Sequence, residues 1–310
     1  MAKILLTGAS GFVGSHVLPA LLAAGHEVVA LCRSEKVGER LRARTTDSAR
    51  GLLIRIGDIG SIDALAGAAE GCDAIVHLVA IPRDWNNGSD LDRVNHIGTS
   101  NVVAAAKRAG VRRLVHLGAL GVEERAGLNY ASSKARGERV VRESGLDFTI
   151  IKPSLIWGER DGFFNIVASL VRIPLPIVPV PGSGKSRFQP VWAGDVARAI
   201  VTVLADPKRS VGRSYELGGP RYWTYGEITR EVARALNKRR LIVPMPVPLI
   251  GIVAGLSEAI RLPFPVATDQ LRQLALDNIG ALDAVERELG FVPVDMAGRL
   301  GYLRRKIAKQ

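Results

Sequence analysis

A glycine-rich stretch near the start of the chain has the residue types and the spacing that bind a dinucleotide diphosphate. It reads Thr7-Gly8-Ala9-Ser10-Gly11-Phe12-Val13-Gly14, directly after an apolar run and at the start of a helical pattern. Gly8 permits a tight turn, Gly11 lets the backbone approach a pyrophosphate, and Gly14 allows close packing of helix on strand. Free N–H groups at the helix N-terminus add a partial positive charge. The residues predicted to contact the cofactor here are Gly8, Ser10, Gly11, Phe12, Val13 and Gly14.

The end of the second apolar run separates NADP from NAD. An acidic residue at this place binds the 2'-hydroxyl of the adenosine ribose, whereas this chain has Arg33. A guanidinium suits a 2'-phosphate, so we predict NADP(H) and keep NAD(H) as the alternative. Residues 33–55 carry seven basic side chains against three acidic ones, and a solvated basic helix face explains most of them.

Asp58 follows the third apolar run, in the sequence Gly57-Asp58-Ile59. Two roles compete for its carboxylate. In the first it accepts a hydrogen bond from the adenine amino group of the cofactor, and in the second it caps the helix that follows.

A framework of alternating strands and helices must position these residues. Short apolar runs, typical of buried parallel strands, extend over Lys3 to Thr7, Glu27 to Leu31, Leu53 to Gly57, Ala74 to Val79, Arg113 to Leu117 and Phe148 to Ile151. Helical patterns lie between them, over Gly11 to Ala24, Ser61 to Ala69, Leu91 to Ala109 and Ser132 to Ser144. The alternation predicts an α/β fold with a doubly wound parallel Rossmann sheet.

The second half of the chain is much richer in proline and predicts a smaller lobe. The run at residues 175–185 is expected to be an extended loop, whereas Asp195 to Asp206 and Ser214 to Leu217 are expected to return a helix and a strand to the sheet. We therefore predict a dinucleotide-binding domain of residues 1–155 plus about 188–218. A Pro-rich substrate lobe of residues 156–187 plus 219–310 would cover the carboxyl ends of the strands.

The composition indicates a folded protein that binds a negatively charged ligand or surface. The formal net charge is +12 and the pI is near 10.1. No interleaved basic and aromatic pattern of a nucleic-acid module accompanies that charge, so nucleic acid is not the predicted partner. Cys32, Cys72 and the five histidines lack metal-ligand spacing, which predicts no metal site and a cytoplasmic setting. His77 and His116, at the ends of buried strands, are expected to pack or to bond the backbone.

Two segments bear on membranes. The uncharged stretch between Arg240 and Glu258 contains three prolines, so a spanning helix is not expected there. Arg299 to Gln310 carries five basic side chains and no acid. It is either a basic amphipathic helix peripheral to the inner face of an anionic membrane, or an ordinary solvated terminal helix.

Several motifs together resemble the extended or atypical branch of the short-chain dehydrogenase/reductase superfamily, whose members include NAD(P)-dependent epimerases and dehydratases. These motifs are TGASGFVG at residues 7–14, GDIGS at 57–61, HLVA at 77–80, NHIGTSN at 95–101 and YASSK at 130–134. The segments SKARGERVVRESGLDFTIIKPSLIWG, FQPVWAGDVARAI and LPFPVATDQLRQLALDNI resemble more narrowly the subgroup with the nucleotide-binding accessory subunit of respiratory complex I. A contact with a respiratory complex is therefore one expectation.

The resemblance implies the catalytic pair Tyr130 and Lys134. In this superfamily the tyrosine moves a proton at the substrate oxygen, while the lysine lowers the tyrosine pKa and binds the nicotinamide ribose. The i, i+4 spacing places both on one helix face, although that spacing alone is common on helix surfaces. The other cofactor contacts that the resemblance implies are Ile59, Val79, Ala80 and Pro153.

The chain departs from the family at Gly118, where active members carry a serine hydroxyl. A carbonyl substrate would lose one polarising donor, and neither Ser132 nor Ser133 is expected to replace it.

The sequence as a whole leaves three candidate functions. The first is an NADP(H)-binding oxidoreductase for an apolar, quinone-like substrate, the second is a nucleotide-binding structural or assembly factor, and the third is a sugar-nucleotide epimerase or dehydratase. The three tryptophans of the second half, Trp157, Trp192 and Trp223, either pack in the core or line an apolar pocket.

Overall fold

The computed structural model describes residues 1–45, 50–83, 86–246, 274 and 276–305. The strands are β1 (Lys3–Thr7), β2 (Glu27–Cys32), β3 (Leu52–Ile56), β4 (Ala74–His77), β5 (Arg113–Leu117), β6 (Asp147–Pro153), β7 (Ile156–Trp157), β8 (Ile177–Pro181), β9 (Arg187–Phe188), β10 (Val191–Trp192), β11 (Arg213–Leu217), β12 (Trp223–Thr224) and β13 (Leu241–Met245). The helices are α1 (Gly14–Ala23), α2 (Glu35–Arg44), α3 (Ile62–Ala69), α4 (Ser89–Leu91), α5 (Gly98–Arg108), α6 (Asn129–Arg142), α7 (Phe163–Arg172), α8 (Ala193–Ala205), α9 (Pro207–Ser210), α10 (Tyr225–Ala235) and α11 (Ala284–Leu289). A π-helical segment, Asp92–Ile97, joins α4 to α5, and a 3-10 helix spans Leu300–Arg304.

A seven-stranded parallel sheet forms the centre of the described structure, in the order β11-β6-β5-β4-β1-β2-β3. The side chains of β1 explain its central place: Ile4 and Leu6 pack into the core on one face, and Leu5 packs into the core on the other. The chain order reverses between β1 and β4, which opens a crevice at the carboxyl ends of those strands. The predicted doubly wound α/β fold is confirmed.

The edge strand β3 corrects one expectation. The sequence predicts that all six early strands are buried on both faces, but β3 is largely exposed, with Ile56 at 49%. The reason is its position, because β3 pairs only with β2 in the described structure. The strand predicted in the second half, β11, joins the opposite edge in parallel with β6, and α8 covers the sheet beside it.

The proline-rich run at residues 175–185 is a second correction. The sequence predicts a loop, yet β8 pairs in parallel with β13, with Pro179 opposite Val243 and Pro181 opposite Met245. Prolines are tolerated because each strand of this two-stranded ribbon has a neighbour on one side only, so a missing backbone N–H on the other side breaks no inter-strand hydrogen bond. Both strands belong to the part of the chain that builds a third core cluster around Phe164, Phe188, Tyr225 and Leu303. The division into two domains stays a prediction.

The carboxyl-terminal segment is a third correction. Leu300 and Leu303, the apolar residues of the predicted membrane-binding helix, are at most 1% exposed and pack in the third cluster. A basic amphipathic helix with a free apolar face is therefore wrong for residues 300–305, and residues 306–310 lie outside the described part. No helix among the described residues is long and apolar enough to cross a membrane. Most of the uncharged stretch after Arg240 lies outside the described residues, as does most of LPFPVATDQLRQLALDNI.

Candidate functional site

A cavity of about 1530 Å³ lies over the carboxyl ends of the central strands and reaches to α7. Every residue that the sequence singled out for cofactor binding or catalysis lines this cavity. They are Gly8, Ser10, Gly11, Phe12, Val13, Gly14, Arg33, Asp58, Ile59, Val79, Ala80, Tyr130, Lys134 and Pro153. The fold thus brings residues from six separate segments of the chain to one space.

The glycine-rich turn has the shape that a diphosphate requires. Gly8 adopts a left-handed backbone with φ of +80°, and the N–H of Gly11 donates to the carbonyl oxygen of Gly8 at 3.0 Å. A Cβ at Gly14 would lie 2.1 Å from the Gly8 oxygen and 2.6 Å from the Ala9 oxygen. Side chains are therefore excluded where helix meets turn, and the residues present fit a dinucleotide.

The residues assigned to the adenosine end also meet at the cavity. Arg33 follows β2 directly and is exposed toward the cavity rim. Asp58 accepts a hydrogen bond from the N–H of Gly60 at 2.8 Å, which shapes the turn before α3. The capping role considered for Asp58 belongs to Ser61, whose hydroxyl oxygen accepts from the N–H of Ala64 at 3.2 Å.

Tyr130 and Lys134 lie one helical turn apart on α6. The Lys134 ammonium is buried and donates to the carbonyl oxygen of Leu117 at 2.6 Å. Burial lowers the pKa of Lys134 to about 8, although the nearby Glu138 carboxylate acts in the opposite direction. Desolvation in the cavity wall, followed by the Glu138 charge, raises the pKa of Tyr130 above its ordinary value. In this structure the expected lowering of the tyrosine pKa by lysine is therefore absent, and the phenol holds its proton at neutral pH.

Glu138, which sequence reasoning missed, lies against Gly118. A Cβ at Gly118 would lie 2.4 Å from the Glu138 Oε1 and 3.0 Å from the Ile150 Cγ2. Glu138 is buried, accepts a hydrogen bond from the N–H of Ala119 at 3.1 Å, and lies 3.7 Å from the Lys152 ammonium. A side chain at 118 would thus point at this carboxylate. The available signal was a charged residue one helical turn beyond Lys134.

The serines of the tyrosine motif have structural partners, as expected. Ser132 exchanges hydrogen bonds with the backbone of Arg125, and the Ser133 hydroxyl donates to the carbonyl oxygen of Tyr130. The Asn95 amide donates to the Ser133 hydroxyl oxygen at 3.1 Å, and Asn95 also exchanges two hydrogen bonds with the backbone of Ile81. Asn95 therefore ties the start of α6 to the loop after β4.

His77 and His116 pack inside the sheet, as predicted. The rings of His77 and His116 stack with centroids 5.3 Å apart. The partners of His77 are the hydroxyl groups of Thr7 at 2.7 Å and Thr99 at 3.2 Å rather than backbone groups. Burial lowers the pKa of both histidines, so both rings are neutral.

The remaining lining of the cavity, here called the far wall, combines apolar side chains with polar ones such as Ser154, Asn165 and Asn278. Its apolar residues include Leu120, Leu128, Leu155, Phe163, Ile166, Phe188 and Leu276. The three tryptophans pack in or against the third cluster and, in the described structure, do not line the cavity, so the core-packing alternative is confirmed.

Several acids line the cavity, and Asp161 is the one that is buried. Burial raises the pKa of Asp161 to about 6, although the hydrogen bonds that its carboxylate accepts act in the opposite direction. The donors are the Tyr302 hydroxyl at 2.5 Å and the N–H groups of Phe164 at 2.7 Å and Asn165 at 3.3 Å. Asp161 thereby joins the first turn of α7 to the carboxyl-terminal 3-10 helix.

Comparisons with known proteins agree with this geometry. A family model described as the NAD dependent epimerase/dehydratase family matches residues 4–218. An Arabidopsis thaliana protein, NADH dehydrogenase [ubiquinone] 1 alpha subcomplex subunit 9, mitochondrial, is 26% identical over 94% of this chain and 74% of its own length. The ceramide reductase of Caulobacter vibrioides is 27% identical over 83% of this chain and 77% of its own length. Among solved structures, the dTDP-glucose 4,6-dehydratase DesIV from Streptomyces venezuelae, with NAD bound, superposes with a TM-score of 0.73 at 26% identity, over 97% of this chain and 96% of that chain.

Proposed function

Because the chain belongs to the NAD dependent epimerase/dehydratase family, we propose that it is an oxidoreductase that binds NADP(H) and reduces an apolar, quinone-like substrate. The observation that carries this proposal is the lining of the cavity. The cavity is lined by the glycine-rich turn and Arg33, by Tyr130 and Lys134, and by apolar side chains that include those of Leu128, Phe163 and Ile166. A cofactor on the turn would thus face an apolar molecule beside a proton donor.

The chain's own side chains supply the proton and the positioning. The nicotinamide, when bound, supplies a hydride. Tyr130 keeps its proton at neutral pH, because its pKa is raised, and can donate that proton to the substrate oxygen. The hydrogen bond of Lys134 to Leu117 fixes the ammonium beside the end of β5, and a pKa of about 8 leaves most of it charged at pH 7.

NADPH oxidation with a panel of short-chain quinones and ketones tests the proposal. We expect Tyr130→Phe to lower turnover at least about 100-fold, the size of a typical general-acid contribution, while NADPH affinity stays within a factor of about two. The matched control is Tyr222→Phe, whose hydroxyl bonds the carbonyl oxygen of Gly280 away from the cavity lining. Equal turnover in parent and Tyr130→Phe would remove the tyrosine from the mechanism.

A second candidate is a nucleotide-binding structural or assembly factor with little turnover. The Glu138 carboxylate beside Gly118 favours it, because the chain has no hydroxyl at this place and a side chain there would have to displace the carboxylate. The similarity to a respiratory-complex subunit favours it as well. In that case NADPH would raise the melting temperature without being oxidised by any member of the panel. Contact with a respiratory complex, or with the cytoplasmic face of a membrane, belongs to this candidate.

The third candidate, a sugar-nucleotide epimerase or dehydratase, finds support in the similarity to the DesIV dehydratase. One feature of the cavity weighs against it, because Arg33 stands where NAD-dependent sites carry an acid.

A further inference from the structure

Arg160 has an unusual backbone at the junction of the sheet and the far wall. It lies between β7 and α7 with φ of +75°, in the left-handed region that disfavours any residue with a Cβ. Among the described residues the other non-glycine positions of positive φ are both asparagine, which tolerates this region best. An arginine at this position keeps a strained backbone, so we looked for a role of its side chain that offsets the strain.

The Arg160 side chain reaches back over the glycine-rich turn. Its Nη2 donates to the carbonyl oxygen of Ser10 at 3.3 Å, although the two residues are 150 positions apart in the chain. Ser10 lines the cavity directly before Gly11, and Arg160 lies just outside that lining, next to its member Asp161. The guanidinium therefore lies beside the turn to which the proposed function assigns the cofactor phosphates, and it comes from the element that leads into the opposite wall.

Arg160 has one charge of each sign near it, those of Arg44 and Glu159. Within the described ranges no carboxylate lies within 4.0 Å of it, and its neighbour Glu159 is 3.9 Å from Arg305 instead. Burial, then the charge of Arg44 at the end of α2, lowers the pKa of Arg160, with Glu159 acting in the opposite direction. Arg160 in turn helps burial to lower the pKa of His16 on α1. The repulsion between the Arg160 and Arg44 guanidinium groups would be relieved when an anion binds beside them.

A purely structural role leaves these features unexplained. A guanidinium has five N–H donors, and one long hydrogen bond to a neutral carbonyl uses one of them. A strained backbone and a half-buried cation are a poor way to hold two walls together, whereas both serve a site that binds a charged ligand.

We propose that Arg160 is a phosphate-binding residue through which the far wall holds an adenosine phosphate of the dinucleotide against the glycine-rich turn, together with Arg33 and Arg44. The inference rests on the proposed dinucleotide function and adds to it a phosphate contact from outside the sheet. Two phosphate positions satisfy the chemistry, the 2'-phosphate and the diphosphate.

Two variants test the proposal without disturbing the fold. Arg160→Gly keeps the left-handed backbone and removes its strain, and Arg160→Gln keeps side-chain bulk without charge. Arg108→Gln is the control, since it removes the same charge from an exposed arginine that pairs with Asp63 on another face. Each protein is titrated calorimetrically with NADPH, NADH, adenosine 2',5'-bisphosphate and ADP, and its melting temperature is measured.

We expect both Arg160 variants to bind NADPH at least about 10-fold more weakly than the parent, with the melting temperature of Arg160→Gly unchanged or raised. A loss confined to NADPH and the 2',5'-bisphosphate assigns the 2'-phosphate, and an equal loss for NADH and ADP assigns the diphosphate; either supports the inference. If the parent binds NADPH and both variants bind it equally well, the inference alone fails. Binding of neither dinucleotide by the parent would end the proposed function and the inference with it.

Discussion

The two ends of the cavity solve different problems in different ways. At the diphosphate end, backbone shape does the work: Gly8 turns the chain and Gly14 leaves no room for a side chain. At the Tyr130 end, buried titratable groups determine what the site can do, and their protonation depends on desolvation and on Glu138. Backbone geometry is written in local sequence, whereas the charge state of a buried group is set by neighbours far away in the chain. The first end should therefore fail through sterics and the second through electrostatics.

Gly14→Ala should have the largest effect at the diphosphate end. The added Cβ would lie 2.1 Å from a backbone oxygen that cannot move without opening the turn. We expect a loss of more than about 3 kcal/mol in the free energy of unfolding and no measurable NADPH binding. Urea unfolding and a nucleotide titration measure the two effects.

Gly67→Ala is the matched control for that substitution. Gly67 lies inside α3, where an added Cβ would meet nothing within 4 Å. Alanine is the better helix former, so this variant should be more stable by up to about 1 kcal/mol and should bind NADPH normally. If both glycine variants behaved alike, the steric account of the turn would be wrong.

Asp161 should give the far wall a pH-dependent stability. Its folded pKa of about 6 lies above the ordinary aspartate pKa of 3.8, so the folded state holds the proton more tightly than the unfolded state. For a raised acid pKa, stability is fully present below the unfolded pKa and is lost as pH rises through the folded pKa. Relative to Asp161→Asn, the parent should therefore lose up to about 3 kcal/mol between pH 4 and pH 7.

Urea unfolding of parent and Asp161→Asn at four pH values measures this difference. Asparagine can still accept the hydrogen bonds that begin α7, so the variant keeps the local structure. A stability difference that stays constant from pH 4 to pH 7 would show that folding does not raise the pKa of Asp161, and that the contrast between the two ends does not extend to the far wall.

Sequence alone predicts the sheet and the position of the site well. The runs at β1, β2 and β5 are short, apolar and bounded by charge or glycine, and parallel strands must end at a common edge. Residues as distant as Gly8 and Pro153 can therefore be assigned to one cavity from their places at the ends of strands. Local pattern is sufficient here because each strand carries its own signal.

The missed features depend on contacts that no local pattern encodes. In the sequence Glu138 is one more polar helix residue, and only the fold shows that it lies against Gly118. Arg160 is likewise an ordinary loop residue in the sequence, and only the fold brings it to Ser10. The strand β8 was missed because its partner, β13, is 64 positions further along and proline hides both. The free apolar face expected after Arg299 failed for the same reason, since Leu303 has its partners in a distant cluster.

Gly118→Ser tests whether the catalytic end lacks only a hydroxyl. If so, serine would raise NADPH oxidation. The geometry predicts otherwise, because the new side chain meets the Glu138 carboxylate at a distance where something must shift. We expect about 2 kcal/mol of destabilisation and no gain in turnover.

A double-mutant cycle with Glu138→Ala separates the clash from the chemistry. Glu138→Ala alone should cost about 1–3 kcal/mol, because the Ala119 N–H and the Lys152 ammonium lose a buried acceptor. In the double variant the serine has room. The loss in free energy of unfolding of the double variant should therefore be smaller than the sum of the two single losses by about 1 kcal/mol or more, the size expected for side chains in contact. Additive costs would mean that Glu138 does not determine residue 118. Turnover that rises only in the double variant would show that the missing hydroxyl and the buried carboxylate together limit turnover at this site.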